Sequence, residues 1–545
     1  MKKLLAVIVS VILLVQISAC KIQNASSDPT IAPTDKKETV EESNLVSAAV
    51  SFITEYSDDK IVEWSEVLRL IDSDKAPFIL SIRQQKLYDK GHIKGAYIAE
   101  WGEDLADKID MLPKDKRVYI YCDNGQDSSQ TAALLNMLGI DAVSINLGYT
   151  EGFLKSPRYK DYISRKENTL PDADAKFDKD ILKFVKDYFN AIPDKGSNIL
   201  PASQVNTLSQ WGNVKLIDIR DAEDFERGHI ETAVNVPFGE NMLDDFEKYK
   251  DSKIILTDYN GQNSGHVVAV LHALGYDAYA LKLGINLGWQ PYIMERAANS
   301  FFEEYTGSIV AQWADIANMI DNSEAPYILS IRTKKEYSEG HVTGAYLAEW
   351  GEDLAEKISL LPDDERIYIY SSDGQTASQA SIMCNIIGID AVSIQGGFEA
   401  ISSSKGYEKY INTNANEMPS VDSKINPFLL SSAQDYFANA IEMNSYMINS
   451  EDVKRAIDRE QFIVIDIRSE KDFNAGHIDG ATNIRIDENM PESISKLHST
   501  NLIIADYSGQ AAHQITAILR NLGYNALALD SGMTEYIDQK LPLAD

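Results

Sequence analysis

The hexapeptide Gly-His-Ile/Val-x-x-Ala occurs four times in this chain, with its histidine at His92, His229, His341 and His477. The intervals run long, short, long, the mark of a pair of units that has itself been copied. Direct comparison agrees. Ala99–Ala106 reappears unchanged as Ala348–Ala355, and Glu240-Asn241-Met242 reappears as Glu488-Asn489-Met490. The chain therefore solves one folding problem four times, in the order A-B-A′-B′. Each copy has roughly 130 residues, an ordinary small domain.

One copy shows what the unit is. Pro77–Ile82 is a short apolar run, a buried strand, and Gln84–Lys90 is polar and helix-compatible. Ala96–Ala99 is a second strand, and Gly102–Met111 carries Leu105 and Ile109 at helical spacing. Arg117–Tyr121 is β-branched and aromatic, a central strand. A loop, Cys122 to Asp127, leads into a helix over Ser128–Leu138 that Gly139 stops. Ala142–Leu147 is the last strand. Strands alternating with helices, and apolar almost throughout, predict an α/β unit with a mostly parallel sheet covered by helices on both faces. Each unit also opens on a helical stretch, such as Ile181–Asn190 or Ala433–Ile441.

Ligands of open parallel sheets bind beyond the carboxyl ends of the strands, where Cys122 falls. A loop curling into a helix points backbone N–H groups inward, and the helix N-terminus adds positive potential. Both lower a thiol pKa and favour the nucleophilic thiolate. Gly125 supplies the left-handed turn such a loop requires.

These features together resemble the rhodanese-like domain. The landmarks are a strand ending in Asp-x-Arg (Asp218-Ile219-Arg220, Asp466-Ile467-Arg468), the Gly-His-Ile-x-x-Ala stretch, and a six-residue cysteine loop followed by Ser128 and a helix. The resemblance implies four tandem domains with five-stranded sheets. They are expected over 47–165, 178–297, 298–413 and 427–543. It also implies sulfur transfer through a persulfide on Cys122, held by the loop Asp123, Asn124, Gly125, Gln126, Asp127 and Ser128, between a small sulfane-sulfur donor and a thiol acceptor. No metal or cofactor is implied. The departures are as informative. The nucleophile position is Asp258 in the second unit, Ser371 in the third and Asp506 in the fourth, none of which can carry a persulfide. In the A units the strand aspartate becomes Ser81 and Ser330, while Arg83 and Arg332 remain. Asp127 stands where many relatives carry a cation, with Asp123 beside the cysteine. Each such charge at ~6 Å costs a thiolate on the order of 3 kcal/mol before screening, which counts against an anionic donor such as thiosulfate.

The start of the chain suggests an address. Lys2 and Lys3 precede the apolar run Leu4–Val15, too short to span a bilayer, and Ile17-Ser18-Ala19-Cys20 resembles a bacterial lipobox. Residues 1–19 then form a signal peptide, Cys20 carries the lipid, and 20–46 form a polar tether on the extracytoplasmic face of a bacterial membrane. The net charge of −32 sets aside nucleic acid and direct docking on anionic lipid headgroups. Of the remaining residues, Cys384 falls on the apolar face of a helix and the four Gly-His histidines are expected to be structural. Trp101 and Trp350 are expected to pack, and Asp258 and Asp506 to be solvated or bonded to loop amides. His266 and His513 could at most form a weak polar pocket with those aspartates. Gly-Gln recurs in all four loops, at 125–126, 261–262, 374–375 and 509–510; nothing in the sequence explains the glutamine. The alternative to a sulfurtransferase is a non-catalytic surface lipoprotein whose degenerate domains bind or scaffold.

Overall fold

The computed structural model describes residues 43–544, apart from 74–75, 172–174, 193–195, 306–309, 420, 422 and 460–461. The leader, Cys20 and nearly all of the tether lie outside the described residues.

Four five-stranded sheets follow one another, all parallel and all in one strand order. In the first unit that order is Ile61–Val62, Ala142–Ile145, Val118–Tyr121, Phe78–Ser81, Tyr97–Ile98. Register pairs Phe78 with Val118 and Ser81 with Tyr121, so the central strand delivers Cys122 to the carboxyl end of the sheet. The edge strand Ile61–Val62 is two residues long, too short to leave a pattern in the sequence. Ala142–Ile145 is not the last strand of its unit. Ile163–Ser164 returns antiparallel to His92–Ile93, and the third and fourth units repeat this with Ile411–Asn412 and Leu543–Ala544. The described residues of the second unit contain no such return, because the chain runs through Gly284–Trp289 straight into the helix Gln290–Glu304. Pro427 and Phe428 pack there instead, against Gly228 and the second unit's core, and tie the two pairs together.

Period-2 strands buried on both faces must feed two cores. Phe78, Leu80, Val118 and Ile120 point one way, into a core shared with Ile217, Ile254 and Leu256 of the second sheet. Ile79, Tyr119 and Val143 point the other way, onto Trp64 and Tyr162. The third and fourth units share a core in the same manner. Between the sheets of each pair the helices that follow the loops lie side by side: Gln126–Met137 against Gln262–Ala273, and Gln375–Ile386 against Gln510–Asn521. Gly265 permits the close approach, since a Cβ there would sit 2.9 Å from the Gln126 carbonyl oxygen. The first of these helices starts two residues before the expected Ser128 and is buried nearly all round, which is why it shows little amphipathic pattern.

The lead helices change places. Asn44–Thr54 packs on the second unit's loop helix, with Phe52 against His266 and Tyr56 against Phe238. Lys179–Asn190 packs on the first unit, with Phe189 edge-on to Trp101 at 5.2 Å. Phe437 of Pro427–Ala440 does the same to Trp350 at 5.5 Å. The unchanged octapeptide Ala99–Ala106 is thus the seat of a neighbour's helix, and both tryptophans are packing residues.

Candidate functional site: the four sheet-end loops

Cys122 is 3% exposed, on the shared-core side of its sheet. The Gly125 N–H donates to Sγ at 3.0 Å, and Ser128 Oγ lies 3.6 Å away. The expected lowering of the thiol pKa does not occur. Burial, and after it the Asp127 carboxylate, push the thiol up to about 11 against the pull of Ser128 and the Asn124 amide. A single close N–H cannot offset removal of the thiolate from water.

The two loop carboxylates differ in kind. Asp123 turns away to Arg83, whose Nε donates to Oδ1 at 2.5 Å. That bond stands in for the strand aspartate that Ser81 replaces, and it takes Asp123 out of the expected repulsion. Asp127 has no such relief: its Oδ1 is buried without a partner among the described residues. Burial and then the Asp123 charge raise it to about 7, opposed by Lys282.

Gln126, expected among the persulfide-holding residues, crosses to the second domain. Its Nε2 donates to the carbonyls of Leu281 at 3.0 Å and Gly261 at 3.3 Å, and its Oε1 accepts from the Leu283 N–H at 2.8 Å. Gln262 reciprocates, donating to Ser144 Oγ at 3.0 Å and accepting from the Leu147 N–H at 2.8 Å. Gln375 and Gln510 repeat the exchange with the N–H groups of Ser531 and Gly396. This is the reason for the shared Gly-Gln. The glutamine locks loop to loop, and the glycine, at φ +91° in Gly125, leaves space for the incoming side chain, whose Cδ would lie 2.6 Å from an added Cβ. Recurrence in all four loops was the signal; its meaning required the pairing of domains.

In the second and fourth loops the aspartate fills the cradle itself. Asp258 accepts from the N–H groups of Gly261, Asn263 and Ser264 at 2.5, 2.8 and 3.2 Å, and Asp506 from Gly509 and Ala511 at 2.6 and 3.0 Å. Both are amide-bonded rather than solvated. Burial still raises each to about 6. In the third loop the neutral Ser371 Oγ accepts from Gly374 N–H at 2.9 Å. His266 faces Tyr56 at 3.3 Å, and burial holds it neutral, with its pKa near 3. His513 Nδ1 meets the Gly509 carbonyl at 2.7 Å. No hydrogen bond joins either histidine to Asp258 or Asp506 among the described residues. The Gly-His histidines are structural: each sets Nδ1 against the carbonyl four residues earlier and stacks on that residue's ring. Cys384 is a core residue, fully buried and pushed up to about 12 by burial.

The profile of the family described as "Rhodanese-like domain" matches residues 63–154, 201–290, 312–404 and 449–539. The chain belongs to the rhodanese-like family. The helices Asn44–Thr54, Lys179–Asn190 and Pro427–Ala440 lie outside the matched spans, so these exchanged helices are additions to the matched unit. A relative in Escherichia coli (strain K12), "Uncharacterized protein YibN", is 27% identical over 95 residues, 17% of this chain and 66% of that protein's length. Among solved structures, a thiosulfate sulfurtransferase from Pseudomonas aeruginosa is 16% identical with TM-score 0.19, covering 89% of this chain and 90% of its own. A 3-mercaptopyruvate sulfurtransferase from Leishmania major is 15% identical with TM-score 0.23, covering 44% and 76%.

Proposed function

We propose that this rhodanese-like protein transfers sulfane sulfur through Cys122 alone, that its other three domains carry no sulfur, and that the second braces the Cys122 loop through Gln262. The observation that carries the reading is the content of the four cradles: one holds a sulfur facing a loop N–H at 3.0 Å, two are filled by their own carboxylates, and one holds a hydroxyl. The Cys122 thiolate attacks the outer sulfur of a persulfide or polysulfide donor. A Sγ–S bond forms, the donor S–S bond breaks, and the donor leaves as a thiolate with the electron pair. An acceptor thiolate then takes the outer sulfur and returns Cys122 as thiolate. With Asp127 beside it, the site suits a neutral or weakly charged donor over thiosulfate. A lipid on Cys20 anchors the protein to the outer face of a bacterial membrane, a reading that rests on the leader and the lipobox-like residues; Cys20→Ser should release it to the soluble fraction.

Intact mass after incubation with glutathione persulfide, thiosulfate or a polysulfide tests the chemistry. A gain of about 32 Da that disappears in Cys122→Ser is expected with the first and last. No gain with any of the three returns the protein to the second reading, a surface scaffold, which the burial of Cys122 and its raised pKa favour.

A further inference from the structure

Each domain carries an arginine two residues beyond the strand position of Ser81, Asp218, Ser330 or Asp466, and their fates differ. Arg220 grips Asp218 through Nε at 3.1 Å and a terminal nitrogen at 2.7 Å, and Arg468 grips Asp466 through the same atoms at 3.0 and 2.6 Å. Arg83 lost that partner to Ser81 and takes Asp123 from the loop instead. Arg332 has neither. Its strand neighbour is Ser330, and the residue matching Asp123 is Ser372, whose hydroxyl donates to Glu336 Oε1 at 3.2 Å. Among the described residues the Arg332 guanidinium keeps one hydrogen bond, to the Gly340 carbonyl at 2.9 Å, and it lies 3.8 Å over the Phe398 ring. Its Nε is buried with no partner among the described residues.

Glu336 feels the Arg332 charge but is committed elsewhere: its Oε2 accepts from the N–H and hydroxyl of Thr333 at 3.0 and 2.7 Å. Asp373 is held by the Gln375 N–H at 3.0 Å and its side-chain amide at 2.9 Å. A buried guanidinium N–H without an acceptor is costly, and neither Glu336 nor Asp373 supplies one to Arg332 Nε. The matching place in the first domain is open to solvent, since the Asp123 side chain that fills it is 45% exposed.

We propose that Arg332, through its unpartnered Nε, binds a small oxyanion (a carboxylate, phosphate or sulfate group) in the place the Asp123 carboxylate takes in the first domain. The third domain then acts as an anion-binding module, whether or not Cys122 transfers sulfur.

Inorganic phosphate, sulfate and acetate, titrated at constant ionic strength against chloride, are the probes; calorimetry gives the stoichiometry and thermal unfolding the stabilisation. One equivalent of anion should bind the wild-type chain saturably. Acetate binding alone would identify a carboxylate site, and phosphate or sulfate binding a tetrahedral one. Ser330→Asp rebuilds the Asp218–Arg220 arrangement within the third domain and should weaken binding at least tenfold while the domain stays folded; Arg332→Gln should weaken it similarly. Asp123→Ser strips Arg83 of its partner and should add a second equivalent. Equal binding by wild type and Ser330→Asp overturns the proposal, as does the absence of saturable binding of all three anions to the wild type.

Discussion

Replacing Gln126 by alanine tests the loop-to-loop lock most directly. The side chain is fully buried and makes three contacts with the second domain, at 2.8, 3.0 and 3.3 Å. Alanine removes all three and strands the Leu283 N–H and the Leu281 carbonyl. Each stranded group costs about 1–3 kcal/mol, while freeing a glutamine from one rotamer returns up to ~2 kcal/mol. The net loss should be about 2–4 kcal/mol, read as a fall in the guanidinium midpoint of the first pair, with faster hydrogen exchange across 281–283. Gln126→Glu sharpens the test. At pH 8 its second oxygen faces two carbonyls, so it should be worse than alanine; protonated at low pH it donates again and should recover. A loss under about 0.5 kcal/mol for the alanine variant, or a glutamate variant insensitive to pH, would refute the lock.

Other perturbations have equally definite outcomes. With the Cys122 thiol at about 11, alkylation by iodoacetamide should rise about tenfold per pH unit from pH 7 to 10 without a plateau; Asp127→Asn should lower the thiol pKa and speed the reaction severalfold at pH 8. Asp127 itself is raised to about 7, so the folded state disfavours its ionisation. Its contribution to stability is full below its unfolded value, near ~4, and is lost as pH rises through about 7; Asp127→Asn should flatten stability between those limits. Phe189→Ala should cost about 3–5 kcal/mol and raise exchange in Glu103–Lys108 of the first domain, although Phe189 follows that domain in the chain. Cys384→Ser should destabilise the second pair and leave the Cys122 chemistry unchanged.

The unit was legible because its signals are local. Short apolar runs gave the longer strands of each sheet, and loop glycines gave the turns. Cys384, the Gly-His histidines and the tryptophans were placed by their position in the repeat. What escaped was set by residues distant in the chain. The two-residue edge strand Ile61–Val62 has no pattern to read, and its place comes from pairing with Ser144 and Ile145. Asp123 looked like a repulsive neighbour of Cys122 because its salt bridge depends on a residue forty positions earlier. The cradle was read as lowering the Cys122 pKa because the sequence shows the amides and conceals the burial that opposes them.

The exchanged lead helices also set a schedule. Tyr56 hydrogen-bonds Asn263, 207 residues further along, so the seat of the first helix, begun by Gln126–Met137, stays incomplete until the second domain's loop helix exists. At ~5–20 residues per second, roughly 10–40 s of synthesis separate the two. Throughout that interval part of the apolar face of Asn44–Thr54 remains exposed, which makes the early chain a natural client for a holding chaperone and the pair, not the domain, the smallest piece able to finish folding.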